Sequence, residues 1–251
     1  MPSHDFKSPR LFTAEALGDG LSFEASAEQA NYLLNVLRLD EGAAILLFNG
    51  REGEWRADLS RPSKKRLVLR PLARIRDQTP IPTLHYLFAP LKSARLDYMV
   101  QKAVEMGAGR LQPVMTQHVQ APRINVERMR ANAIEAAEQC GILSVPDCCE
   151  MMRLADVLDR LDPARTLLFC DEREAEASPI DYLRREPRGP ISLLIGPEGG
   201  FSEEERRLLR STKGVLPISL GPRILRADTA AVAALAVVQA AIGDWDGSSP
   251  R

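Results

Sequence analysis

Two short apolar runs in the last third of the chain each end in Gly-Pro, and the residues that follow are of types that hold ligands. The first reads Ile191-Ser192-Leu193-Leu194-Ile195-Gly196-Pro197-Glu198-Gly199-Gly200-Phe201-Ser202. The second is a strand expected over residues 215–220, then Gly221-Pro222-Arg223-Ile224-Leu225-Arg226-Ala227-Asp228-Thr229-Ala230. Glycine-rich turns after a strand let a ligand come close to backbone amides. Ser202 stands three residues before Glu205, the spacing of a capping box, so a helix is expected to begin there. Asp228 or Thr229 is expected to cap a long Ala-rich helix over residues 229–242. Loops at the carboxyl ends of strands in an open α/β sheet are where such folds bind ligands. Ordinary turn chemistry accounts for one Gly-Pro loop; two of them, each followed by polar residues and a helix start, point to a site.

Other chemistries lose weight on composition. The histidines are His4, His85 and His118, without metalloprotease spacing or a nearby nucleophile pattern. Cys140, Cys148, Cys149 and Cys170 include an adjacent pair but no C-x-x-C, which disfavours a zinc ribbon or a secreted disulfide framework and leaves reduced thiols as the expectation. Leu87-Phe88-Ala89-Pro90-Leu91-Lys92-Ser93, at the end of an expected strand, is neither a dinucleotide fingerprint nor a phosphate loop. No apolar run reaches membrane-spanning length and the first ten residues lack a signal-peptide core, so a soluble, cytoplasmic protein with no metal is expected. The formal net charge of −1 argues against a uniformly basic protein. Residues 51–76, however, carry nine Arg and Lys (Lys64 and Lys65 among them) against Glu52, Glu54 and Asp58, a local excess of +6 that could face phosphates.

The elements that must position these residues follow in order. Ser26 and Gln29 form another capping box, opening a short helix whose apolar face is Leu33, Leu34, Val36 and Leu37. Strands are expected over 43–48, 54–60 and 66–72, with turns at Asn49-Gly50 and Arg61-Pro62-Ser63, giving a small β-rich domain. Residues 73–82 read as a linker closed by two prolines, which sets domains at 1–74 and 83–251 with 75–82 between them. A strand over 83–89, a helix over 94–106 with Leu96, Met99, Val100, Ala103 and Met106 on one face, and a strand over 110–114 make a βαβ unit. A helix over 125–140 turns Met129, Ala133, Ala136, Ala137 and Cys140 inward, with Arg128 and Arg130 on its solvated face. A helix over 154–161, a strand over 166–170 and a loop over 187–190 lead to the paired loops. The last helix is apolar all round, so it must be covered on nearly every side, and Ala234 is taken as facing outward toward a partner.

LLIGPEGGFS followed by LGPRILRADTA resembles the signature of the SPOUT-class RNA methyltransferases, and specifically the ribosomal RNA small subunit methyltransferase E family. The resemblance continues through Arg10-Leu11-Phe12 and residues 31–42, 92–107 and 136–146, covering most of the chain. It implies an α/β protein in which an N-terminal PUA-like β-barrel is followed by a SPOUT-type α/β domain with a C-terminal trefoil knot. It implies methylation of N3 of a uridine in the 16S rRNA of the small ribosomal subunit, S-adenosylmethionine as cofactor, and a homodimer through the C-terminal domain. Carried onto this chain, the cofactor residues are Ile195, Gly196, Pro197, Glu198, Gly199, Gly200, Leu220, Gly221, Ile224, Leu225, Arg226, Thr229 and Ala230.

Methyl transfer from a sulfonium is an in-line displacement needing alignment and loss of the acceptor's proton. A cation beside uracil N3 would stabilise the anion, and Arg226 is the catalytic candidate; a salt bridge to Asp228 or Glu198 is the competing use of that guanidinium. Asp228 stands where the family more often has Glu, and suits a helix cap as well as a base. Arg10, Arg38 and Lys92 are the RNA-binding candidates, through phosphate contact or stacking on an unpaired base. Lys102 either meets phosphate or pairs with Glu105. Two departures stand out: Asn31 replaces the family's usual His, and Glu138-Gln139-Cys140-Gly141 lacks the arginine usual after Gln-Ser. The alternative reading is an RNA-binding protein with a non-catalytic methyltransferase-like domain.

Overall fold

The computed structural model describes residues 8–63, 66–121, 123–171, 179–185 and 189–246; Lys64, Lys65, His4 and part of the expected 187–190 loop lie outside them. The chain divides into two units, residues 1–80 with 137–145, and residues 81–136 with 146–251.

The first unit is built on β1 (Arg10–Phe12), β2 (Phe23–Glu24), β3 (Ala44–Phe48), β4 (Glu54–Ser63) and β5 (Arg66–Arg76), with the short helix α1 (Ala27–Asn31). The sheet order is β1-β3-β4-β5-β2, so β1 and β2 are edges that do not bond each other, and the expected barrel is an open sheet instead. Register shifts between β4 and β5 at Glu54/Trp55, Arg56/Ala57 and Ser60/Ser63 mark bulges, which bend the ribbon without closing it. Inward Leu11, Leu33, Ile45, Leu47, Ala57, Leu59, Leu67 and Leu69 form its core.

The Ser26 capping box is present in both directions. Past α1 the chain widens into a π-helical turn, Tyr32–Val36, with Leu37 N donating to Tyr32 O at 2.9 Å. That extra residue per turn shifts the helical phase, so Leu33 is buried while Val36, expected on the same face, is 61% exposed. The expected turn at Arg61–Ser63 is strand, because Ser63 still pairs with Arg66. The strand β5 also runs four residues into the stretch read as a linker.

The second unit carries β6 (Leu84–Phe88), α2 (Ser93–Glu105), β7 (Ala108–Met115), α3 (Val126–Gln139), β8 (Asp147–Cys148), β9 (Met152–Arg153), α4 (Leu154–Asp159), β10 (Thr166–Cys170), α5 (Pro179–Arg185), β11 (Ile191–Ile195), α6 (Glu203–Ser211), β12 (Val215–Ile218) and α7 (Ala227–Ile242). Its strands pair parallel in the order β12-β10-β11-β6-β7-β8, with β9 on β7, and every residue of β11 is buried. A parallel sheet covered on both faces needs such unbroken apolar strands. The β6-α2-β7 unit stands as expected.

Met129, Ala133, Ala136 and Ala137 are buried as the period demanded, but Cys140 lies beyond the last turn of α3 and is exposed. The cap of α7 is Arg226, not Asp228 or Thr229: the helix starts at Ala227, and Asp228 sits in its first turn accepting from Thr229 N at 2.9 Å. Along α7, Ala231, Ala234, Leu235 and Val238 are buried within the unit. Ala234, expected to face outward, is fully enclosed. Among the described residues no helix is long and apolar enough to cross a membrane, and no group of three or more His, Cys, Asp or Glu could hold a metal ion.

Candidate functional site

Because β10 lies between β11 and β12, three neighbouring strands deliver their carboxyl ends to one edge of the sheet. An open cleft lies there. Of the sequence candidates, Ile195, Gly196, Pro197, Glu198, Gly200, Leu220, Gly221, Ile224, Leu225 and Ala230 line it. Gly199, Arg226 and Thr229 do not: Gly199 packs against His118, where an added Cβ would meet the ring-bearing carbon at 3.2 Å, and Arg226 and Thr229 are exposed. Cys170, Asp171, Phe201, Arg223 and Ala227 line the cleft and were not singled out from sequence.

The first loop is held from several sides. Gly200 has φ 68 and Gly221, in the second loop, φ 93; both are left-handed conformations in which a side chain is strained. The carboxylate of Glu198 accepts from Arg95 of α2 and from Gln120 Nε2 at 2.9 Å, so the competing Arg226–Glu198 bridge is not what uses it. His118 Nδ1 lies 3.1 Å from Gly200 O, and Gln117 N donates to Glu205 Oε1 at 2.8 Å. The Ser202–Glu205 capping box is formed in both directions.

Beneath this loop lies a buried ion cluster. The side chain of Asp171 is wholly buried and accepts from Arg206, itself 7% exposed, and from Arg210 Nη2 at 3.2 Å. Arg206 Nε also donates to Phe201 O at 3.1 Å, while Asp171 N donates to Ile218 O at 3.1 Å. Asp171 thereby ties the end of β10 to β12 through its backbone and to the loop after β11 through Arg206. Burial, and then the neighbouring charge of Asp171, push the Cys170 thiol well up, so it stays protonated and cannot serve as a thiolate nucleophile. The cleft thus offers backbone groups, apolar walls and fixed charge, an arrangement for holding a polar-edged ring in place rather than for covalent attack.

The RNA-binding candidates stand in different local surroundings. Arg38 is exposed in a left-handed conformation, φ 55, directly after the π-helical turn, and Lys92 is exposed at the start of α2. Arg10 is neither exposed nor free. Its Nε donates to Glu54 at 2.7 Å, its Nη1 to the carbonyls of Ala137 and Glu138, and its Nη2 to Ile142 O at 3.0 Å, with the guanidinium 4.5 Å from the centre of the Phe48 ring. Desolvation lowers its pKa, against the raising influence of Glu54. Four of its five N–H donors are thus bonded inside the first unit, which Arg10 helps to hold together.

The +6 run is also less than its sequence count. Arg66 pairs with Glu24, Arg70 with Asp58, Arg74 with Asp77 and Arg76 with Glu54. Lys102 bonds Glu105 at 2.7 Å, which settles that alternative for the pair.

Residues 77–239 match an RNA methyltransferase domain and residues 25–72 an RNA methyltransferase PUA domain. A ribosomal RNA small subunit methyltransferase E from Rickettsia conorii is 32% identical over 235 residues, 93% of this chain and 96% of the relative. Among solved structures, a Legionella pneumophila protein in complex with SAM superposes with a TM-score of 0.81 at 31% identity, covering 94% of this chain and 98% of that one. A ribosomal RNA small subunit methyltransferase E from Neisseria gonorrhoeae bound to S-adenosyl methionine gives 0.82 at 28% identity, covering 95% and 99%. Matched in both units and along nearly its whole length, the chain belongs to the ribosomal RNA small subunit methyltransferase E family.

Proposed function

We propose that this protein is an S-adenosylmethionine-dependent methyltransferase that methylates N3 of a specific uridine in the 16S rRNA of the small ribosomal subunit. The observation that carries this reading is the cleft where Ile195–Gly200 and Leu220–Ala230 converge at the carboxyl ends of three parallel strands, in a chain whose similar structures hold SAM. In this reading Ile195, Leu220, Ile224 and Leu225 enclose the adenine, and the backbone of the Gly-Pro loops meets its polar edges. Gly199, Arg226 and Thr229 stand beside the cleft lining rather than in it. Arg226, exposed at the cap of α7, is the cation offered to the uracil as N3 loses its proton.

The domain assignment belongs to the same reading: a PUA-like unit over 1–74, a connection over 75–82 and a SPOUT unit over 83–251 with a carboxyl-terminal trefoil knot, working in the cytoplasm as a homodimer. What supports the dimer is surface. Ile224 is 92% exposed, and Val232, Ala233, Ala236 and Val237 of α7 are only half-buried. Since Ala234 is enclosed, Val237→Glu rather than a change at Ala234 tests the contact, by sedimentation.

Tritium transfer from labelled S-adenosylmethionine to 16S RNA and to small subunits, with the product nucleoside identified as 3-methyluridine, tests the activity. No transfer to either substrate by a protein that binds the cofactor would leave the non-catalytic RNA-binding alternative. For the cofactor site, Ala230→Leu fills the cleft from a helix position without straining the backbone, unlike any change at Gly200, and should weaken SAM binding at least ten-fold in calorimetry.

A further inference from the structure

A second groove lies in the same unit between the amino-terminal ends of α2 and α3. Its floor is Leu91, Val100 and Met129, each buried, with Leu96 and Ile124 half-buried on its walls. The rim is cationic. Lys92 and Arg123 stand on it, and among the described residues neither meets a carboxylate. The groove's acid, Asp97, is already spent: Arg128 donates to it through Nε at 3.0 Å and Nη2 at 2.6 Å, and Asn132 Nδ2 at 3.0 Å. An apolar floor under unpaired positive charge complements a flat apolar group that carries an anion.

The groove is also continuous with the loop at the cofactor cleft through two elements. On α2, Lys92 and Leu96 face the groove while Arg95, between them, bonds Glu198. After β7, Gln117, His118 and Gln120 bond Glu205, Gly200 and Glu198, and Ala121, Arg123 and Ile124 then line the groove. The same two elements therefore border both the loop of the cleft and the groove.

We propose that this groove binds an unpaired nucleotide of the RNA flanking the one that is methylated, its base on Leu91, Leu96 and Met129 and its phosphodiester on Lys92 and Arg123. The proposal rests on the RNA substrate of the preceding reading. It adds to it a specificity site contacted by sequence outside the target base.

The test is filter binding of a 16S RNA transcript over a salt series, with the full chain and the variants Lys92→Ala, Arg123→Ala and the double. The double variant should lose RNA affinity by roughly ten-fold or more, and its plot of log affinity against log salt should be shallower by about 0.7, the loss of one neutralised single-strand phosphate. Lys92→Arg should restore part of the affinity. Cofactor affinity and melting temperature should stay as in the parent, because neither residue lines the cleft or is buried. Leu96→Asp, which sets an acid against the same phosphate, should weaken RNA binding even though it leaves both cations in place. Unchanged affinity and slope in the double variant, or loss only in proportion to a lower melting temperature, overturns the proposal. So does a double variant that still binds RNA but no longer binds polyglutamate, which would make the groove an acidic-peptide site. If the parent binds RNA but transfers no methyl group, the enzymatic reading fails while the groove stands or falls on these affinities alone.

Discussion

Two arginines that looked alike in the sequence, Arg10 in the first unit and Arg226 in the second, occupy opposite physical situations. Arg10 is largely buried, its side chain 9% exposed, with hydrogen bonds to one carboxylate and three carbonyls, so its charge belongs to the fold. Arg226 is exposed at the head of α7, beside a cleft, and its Asp228 neighbour bonds the backbone instead. A guanidinium has five donors in a fixed plane, and whichever groups fill them first decide its role. The lesson is that an arginine's function is read from where its donors end, not from the company it keeps along the chain.

The largest expected effect comes from removing the buried member of the comparison. Arg10→Ala leaves Glu54 facing only Arg76 and takes a donor from three carbonyls, of which Ala137 O keeps Ile142 N, and breaking a buried pair costs about 3–5 kcal/mol. Urea unfolding should show that loss while calorimetry shows S-adenosylmethionine affinity close to the parent's. A stable Arg10→Ala protein that has lost RNA affinity would return Arg10 to the substrate surface and break the comparison.

The buried ion cluster under the cleft should behave as an intermediate case, structural and functional at once. Asp171→Asn removes the counter-charge of Arg206 and Arg210, which costs about 3 kcal/mol, and loosens the hold of Arg206 on the Phe201 carbonyl. Both the unfolding midpoint and cofactor affinity should therefore fall. A fall in stability with cofactor affinity untouched would reduce the cluster to ordinary core. Arg226→Ala should do the reverse of Arg10→Ala: stability unchanged, and kcat lower by about 100-fold, or 2.7 kcal/mol, as for the loss of one charge-stabilising donor.

Much of this was legible in sequence, and the failures have physical causes. The strand-loop-helix order of the second unit and the capping boxes at Ser26 and Ser202 follow from local signals that act over three or four residues, while most of the cleft lining is what the family resemblance implies. Asp171 was not legible. It ends β10 and opens a charged stretch, and nothing local says that Arg206, 35 residues on, will neutralise it in the interior. The +6 excess of residues 51–76 overstates the free charge for the same reason, since Glu24 and Asp77, which answer two of its arginines, lie outside that stretch. The cap of α7 was misplaced because side-chain capping propensity favoured Asp228, whereas the backbone turn at Arg226 made the helix start without a side-chain cap. The open sheet of the first unit depends on whether two edge strands of three and two residues meet, which no periodicity encodes.

The smallest effect extends the comparison to pH. His85 on β6 is half-buried near Arg165 and Arg110, and burial first, then those two charges, lower its pKa from 6.5 to about 4. The cost of burying positive charge that Arg10 meets with carbonyls and a carboxylate is here avoided by keeping the imidazole neutral. The unfolded chain, with an ordinary histidine, takes up a proton as pH falls through 6.5, whereas the folded chain does so only near 4. Between these values the unfolded state binds more protons, so stability must fall as pH drops from about 6.5 to about 4, level off below, and be constant in this respect above. Full conversion of the shift would overstate the effect for a ring that water still reaches, and about 1 kcal/mol is the expected loss. His85→Gln keeps a polar side chain that cannot be protonated, so its urea midpoint should decline less between pH 6.5 and 4.5 than the parent's. Parallel decline in the two proteins would show that His85 is charged in the fold despite Arg110 and Arg165, and that the second unit tolerates a buried cation without the saturated hydrogen bonding that Arg10 requires.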